Sequence, residues 1–267
     1  MKILRFSPFS ILAFAVLLFS VEAAVADETL ARSYDIKNVS EVVVGGGGRI
    51  RITQGDTETL RVEAEADVIN RVSVDLSGNK LSLNVKRSSG KGFSLFDFFS
   101  HQNDEVLYIL QLKNLSYLGL SGASRATLSD WVGKNMAVNV SGAGEINFAN
   151  LSVDDLFVEL TGASNAHTQS LTANKIKFEL SGAANANIKA QSQTKFLQVG
   201  ASGASNFRGK LLTVTQADVG ASGASNIELN VTEFLKANAS GASNVRYLGQ
   251  PKLQSDSSGA SHVSSIN

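Results

Sequence analysis

The sequence predicts an all-β chain wound as a right-handed parallel β-solenoid (β-helix) with coils of about 20 residues and a less regular N-terminal β portion. Three observations predict it. The phrase SGA, once TGA, begins at Ser121, Ser141, Thr161, Ser181, Ser202, Ser222, Ser240 and Ser258, at spacings of 20, 20, 20, 21, 20, 18 and 18 residues. Around each phrase, apolar and polar residues alternate with the period of a half-buried strand, not of a helix. A unit this short cannot bury its own apolar face, so copies must stack, each coil pairing with the next at about 4.8 Å. Parallel crossovers favour right-handed winding. A propeller blade needs roughly 40–45 residues, twice the period seen here.

Taken in chain order, the first element is an export signal. Lys2 and Arg5 precede an apolar run from Phe9 to Val21, and Ala24-Val25-Ala26 offers small residues for cleavage before Asp27. The run is shorter than the roughly 20 residues that span a bilayer. Residues 1–26 therefore read as a signal peptide, and no second hydrophobic span follows in the mature chain. Export places the protein in the periplasm, with the cell surface or secretion as the alternative.

Residues 27–267 read as a single domain. Within it, 34–113 form irregular N-terminal coils or a cap: EVVV, RIRIT, LRVEAEA, RVSVDL and KLSLNVK alternate well and are divided by GGGG, QGD and SGNK turns. Continuity with the solenoid is expected, because VLYILQLKNLSYLGLSGAS runs into the first clear repeat without a linker.

Residues 114–267 carry the regular repeats. Leu118, Val138, Val158, Phe178, Val199, Val219 and Ala237 stand three places before the leading Ser or Thr. Leu120, Val140, Leu160, Leu180, Ala201, Ala221 and Ala239 stand one place before it. The column between them, Gly119, Asn139, Glu159, Glu179, Gly200, Gly220 and Asn238, should face outward. A further apolar column, from Ala126 to Val263, begins five places after it. The glycine of each phrase suits a tight corner. The following Ala, Ala204 and Ala224 for example, is expected to fit where a larger side chain would clash with a neighbouring coil. Four places past the leading residue, Asn165, Asn185, Asn206, Asn226 and Asn244 are placed to stack as a hydrogen-bonded amide ladder, and the Ser hydroxyls to do likewise.

One segment breaks the pattern. SSGKGFSLFDFFSHQNDE, from Ser88 to Glu105, sets Phe93, Leu95, Phe96, Phe98 and Phe99 in a polar insertion. These aromatics either cap the solenoid or form an exposed patch that docks a partner or a membrane surface.

The repeated SGAS turns, the stretch VVVGGGGRIRITQGD and the ending VRYLGQPKLQSDSSGASHV resemble the bacterial head-GIN domain family, whose members are exported proteins commonly labelled auto-transporter adhesins. The resemblance runs from about Tyr34 to Val263 and implies a β-solenoid and an exported location. No series of alternating ten-residue membrane strands follows the repeats, so the translocating barrel of an auto-transporter is not expected here.

Composition narrows the function classes. Lys and Arg total 24, as do Asp and Glu, so nothing favours a nucleic-acid partner or an anionic membrane surface. The chain has no cysteine, which removes disulfides, zinc-thiolate sites and thiol nucleophiles. His101, His167 and His262 are scattered, and GGGG at 45–48 lacks the spacing of a nucleotide-binding loop. No metal or cofactor is expected. An enzymatic reading, a carbohydrate-active lyase or hydrolase, would rest on Glu159 and Glu179, which should stack on adjacent coils near Lys175 and Lys177. The narrow range of repeat spacings leaves no room for long loops that wall a catalytic cleft. The expectation is a non-catalytic adhesion or binding module of the cell envelope, with an unidentified protein or glycan ligand. A periplasmic partner-binding scaffold is the remaining alternative.

Overall fold

The structure, a computed structural model of the chain, describes residues 29–86 and 106–266. Nineteen strands among them form one hydrogen-bonded network. Alternation dictates the strands, and the corner phrases end them. Ahead of the first corner lie β1 (Thr29–Asp35), β2 (Glu41–Val44), β3 (Arg49–Gln54), β4 (Thr59–Glu65), β5 (Val72–Ser77), β6 (Lys80–Val85), β7 (Leu107–Leu112) and β8 (Tyr117–Leu120). A single 3-10 turn, Ile69–Arg71, separates β4 from β5. The regular coils follow as β9 (Arg125–Leu128), β10 (Trp131–Val140), β11 (Glu145–Leu160), β12 (Asn165–Leu180), β13 (Asn185–Ile188), β14 (Ser192–Ala201), β15 (Asn206–Ala221), β16 (Asn226–Ala239), β17 (Asn244–Leu248), β18 (Lys252–Ser257) and β19 (His262–Ser265). Neighbouring coils pair in parallel and in register, Val138 with Val158, Val158 with Phe178 and Phe178 with Val199. The β-solenoid expected from the repeat is the fold observed.

The N-terminal β portion joins the same ladders, but out of sequence order. β2 pairs in parallel with both β6 and β8, and β3 with both β7 and β9. The β2–β3 coil is thus threaded between the β6–β7 coil and the β8–β9 coil. Beyond β6 and β7 the ladders turn antiparallel, β5 against β6, β4 against β7 and β1 against β4. These antiparallel strands cover the edge that the outermost parallel coil would otherwise present.

Inward columns make a continuous core from Ile36 to Val245. Each fully buried aliphatic side chain contributes about 1.5–3 kcal/mol. Size is matched across coils: Phe178 and Phe207 pack with ring centroids 5.1 Å apart, and the Phe207 ring occupies the space that a side chain on Gly209 would need.

The corners are held by backbone. Gly223 has φ +74°, and a Cβ there would stand 2.6 Å from the Gly203 carbonyl oxygen of the coil before. That oxygen accepts from the Ala224 amide at 2.8 Å, so the ladder continues around the bend. Ser225 closes the turn by donating its hydroxyl to the Ser222 carbonyl at 2.8 Å, as Ser205 does to Ser202 at 2.7 Å. The packing constraint is not on Ala204 or Ala224. Both are exposed, and the crowded positions are the glycine before them and the fully buried Ser205 and Ser225 after them. The alanine points outward because the turn, once the glycine has reversed it, aims that Cβ at solvent. The leading hydroxyls also differ from expectation: Ser141 and Ser202 lie against the carbonyls of Leu120 and Leu180, not against one another.

The amide ladder is as expected. Asn185 donates to Asn165, Asn206 to Asn185, Asn226 to Asn206 and Asn244 to Asn226, at 3.1, 2.9, 3.0 and 3.1 Å.

Candidate functional site

Side chains alternate along the strands that lead into the corners, so the columns at two and four places before the leading Ser face outward together. In coils 135–161 and 171–181 those columns are filled: Asn139, Glu159 and Glu179 in one, Phe157 and Lys177 in the other. In the next two coils the first of these columns holds only Gly200 and Gly220. It fills again with Asn238 and Asp256, partnered in register with Gly220 and Asn238. The result is a trough of about 860 Å³ along the solenoid, floored by Gly200 and Gly220. Glu159, Thr161, Lys177 and Glu179 stand at one end, and Asn238, Ser240, Asp256 and Ser258 at the other. Ser181, Ser202 and Ser222 run along its side. Long loops are not needed to build this concavity. It is made by taking side chains away, which the uniform repeat spacing permits.

Glycine inside a strand costs about 0.5–1 kcal/mol against a residue with a side chain, and often marks a close approach by another group. Gly220 has open space above it, with no atom within 4 Å of where a Cβ would sit. Over Gly200 lies the Glu179 carboxylate, leaning forward along the stack.

The two acids singled out by the enzymatic reading do stack, Glu159 pairing in register with Glu179. Their carboxylates lean in opposite directions. Glu159 reaches back to accept from the Asn139 amide at 2.7 Å, whereas Glu179 pairs with Lys177 at 3.1 Å and overhangs the following coil. Lys177 also sits 5.4 Å above the Phe157 ring. The trough lining thus holds three carboxylates and one ammonium, and that ammonium is already paired. On the adjoining outward column Lys236 is paired with Asp218 at 3.2 Å.

Beside the trough, sharing Lys177 with it, is a smaller pocket of about 430 Å³ over Met136, Leu156 and Phe157, with Asp155 and Lys175 also in its lining. Among the described residues no group of three or more His, Cys, Asp or Glu could hold a metal ion. His167 and His262 lie far apart along the stack, on β12 and β19. The His167 imidazole is held below its ordinary pKa, first by burial and then by Lys189, and its Nδ1 is buried without a partner. Phe93, Leu95, Phe96, Phe98, Phe99 and His101 lie outside the described residues, as does the export signal. On either side of these aromatics, β6 ends at Val85 and β7 begins at Leu107. The trough itself was missed from sequence, although the Gly200 and Gly220 pair in an outward column was its signal.

Comparison with known proteins adds the following. The sequence matches the family described as "Putative auto-transporter adhesin, head GIN domain" over residues 38–251. No curated protein matches it. Solved structures that share its fold include a "putative adhesin" from Parabacteroides merdae, at TM-score 0.78 and 16% identity, covering 91% of this chain and 98% of that one. Another "putative adhesin", from Parabacteroides distasonis, aligns at TM-score 0.77 and 18% identity over 90% of this chain and 98% of its own. A "putative lipid binding protein" from the same species aligns at TM-score 0.74 and 16% identity over 91% and 98%. At these identities the likeness is one of fold.

Proposed function

Because the chain belongs to the family described as "Putative auto-transporter adhesin, head GIN domain", we propose that it is an exported, non-catalytic binding protein of the cell envelope that engages its ligand through the outer face of the solenoid. Export is supported by the composition of residues 1–26. Among the described residues no helix is long and apolar enough to cross a membrane. The observation that carries the binding role is the trough over Gly200 and Gly220: a concave surface of about 860 Å³ that runs across six coils of the stack. The diverging Glu159 and Glu179 carboxylates, each occupied by a different neighbour, are not arranged as an acid–base pair aimed at one bond.

Gly220→Arg tests this reading, because a Cβ at this position would meet no atom within 4 Å. The purified variant should lose adhesion to immobilised bacterial envelopes by tenfold or more while its melting temperature stays within about 2 °C of the wild type. Undiminished adhesion would remove the trough from the function. Turnover of an envelope glycan that disappears in Glu159→Gln with Glu179→Gln would overturn the non-catalytic role.

A further inference from the structure

We infer that the trough accepts a linear, uncharged glycan lying parallel to the solenoid axis. The inference rests on the binding role of the trough argued above and names its ligand class.

Shape comes first. The lining runs across six coils, from the coil of Glu159 to that of Asp256. Five coil-to-coil steps of about 4.8 Å make a channel roughly 24 Å long. The occupant is therefore an extended polymer, not a compact small molecule.

Chemistry then chooses among extended polymers. An extended peptide is held mainly by main-chain hydrogen bonds to an exposed sheet edge. The floor offers none: β14 is paired on one side with β12 and on the other with β15, and β15 in turn with β16. Recognition must come from side chains. Those at the ends, Glu159, Glu179 and Asp256, are carboxylates that accept hydrogen bonds only. They repel nucleic acids and uronate polymers, and the lone ammonium that would draw an anion, Lys177, is bound by Glu179 at 3.1 Å. Along the side, hydroxyls of Ser181, Ser202 and Ser222 recur once per coil; that of Ser202 donates to the Leu180 carbonyl at 3.4 Å and offers its lone pairs, and those of Ser181 and Ser222 can donate and accept. A chain of sugar rings brings the complement: hydroxyl donors for the carboxylates, and a mixed donor–acceptor edge repeating at a length on the order of the 4.8 Å coil rise. The bare backbone of Gly220 lets a ring settle flat on the floor there, beside the Glu179 carboxylate that overhangs Gly200.

The test titrates the full mature chain with neutral β-1,4-linked glucose oligomers and N-acetylglucosamine oligomers of two to six units, with a hexuronate and with hexalysine, by calorimetry. One of the neutral series should bind, with affinity rising at least tenfold from the dimer to the pentamer and levelling there, as the channel length requires. Gly220→Arg should weaken the hexamer at least tenfold, and the hexuronate should not bind. Absence of binding by both neutral series, or tighter binding of the hexuronate or hexalysine, would overturn the glycan assignment. In that event, loss of envelope adhesion by Gly220→Arg would still leave the trough as a binding site for another ligand. Neutral glycan binding unaffected by Gly220→Arg would overturn the placement.

Discussion

At Gly223, one backbone angle and one close approach decide what the corner tolerates. With φ at +74° and the Gly203 carbonyl oxygen 2.6 Å from any added Cβ, Gly223→Ala meets both left-handed strain of about 1–2 kcal/mol and a backbone clash. The next residue but one is constrained differently. Ser225 is fully buried and its hydroxyl is spent on the Ser222 carbonyl, so Ser225→Leu would overpack a closed site at about 1–3 kcal/mol. Between them Ala224 is exposed, and Ala224→Leu should change stability by less than about 0.5 kcal/mol. Urea unfolding of the three variants should give that order, with Gly223→Ala and Ser225→Leu well below the wild type and Ala224→Leu indistinguishable from it. A loss of more than about 1 kcal/mol in Ala224→Leu would mean that the corner is packed from outside. Gly, Ala and Ser of the phrase thus carry two different constraints over three adjacent positions: a conformational one, none, and a packing one.

Strand by strand, the amide ladder ties neighbouring coils together just past the corners that the trough precedes. Asn206 is at its centre, donating to Asn185 at 2.9 Å and accepting from Asn226 at 3.0 Å, whereas Asn244 donates once, to Asn226. Each such bond contributes on the order of 1 kcal/mol net. Asn206→Ala should therefore cost about twice what Asn244→Ala costs, up to about 2 kcal/mol, measured as a difference in unfolding free energy. Equal costs would show that the amides act singly and not as a ladder. This ladder, the positions of the corners and the strand columns were legible in sequence, because each is a short-range pattern repeated until chance is excluded; which corner residue is crowded was not, since Ala204 and Ala224 are exposed and Ser205 and Ser225 buried. The N-terminal ordering was not. Nothing in the alternation of EVVV or KLSLNV says that β2 will slip between β6 and β8, since strand pairing is a long-range choice among segments of similar pattern. The trough was half legible: its column of Gly200 and Gly220 could be listed, but a column becomes a concavity only when its neighbours on adjacent coils are known to be filled.

For the molecule as a whole, the two ends of the stack are finished in different ways. At one end β1, β4 and β5 turn antiparallel and cover the outermost parallel coil. At the other, among the described residues, no strand pairs with the outer edge of β18 or β19. There the inward columns themselves taper. The column of Leu160 and Leu180 shrinks to Ala201, Ala221 and Ala239 and ends at Ser257, and that of Phe178 shrinks through Val199, Val219 and Ala237 to Ser255. A stacked repeat needs a terminal coil with a polar outer face to remain soluble, and here hydroxyls replace aliphatic groups where the column would otherwise meet water. Every residue of β18 is exposed. Ser255→Val with Ser257→Leu should therefore continue the apolar columns to the edge and create an adhesive end. Light scattering at micromolar protein should then show dimers or larger species where the wild type is less associated, with the melting temperature of the stack unchanged or raised. A double variant with the same mass as the wild type across that concentration range would show that the exposed edge is kept apart by its backbone geometry and charge, Lys252 and Asp256 among them, and not by the tapering of the core.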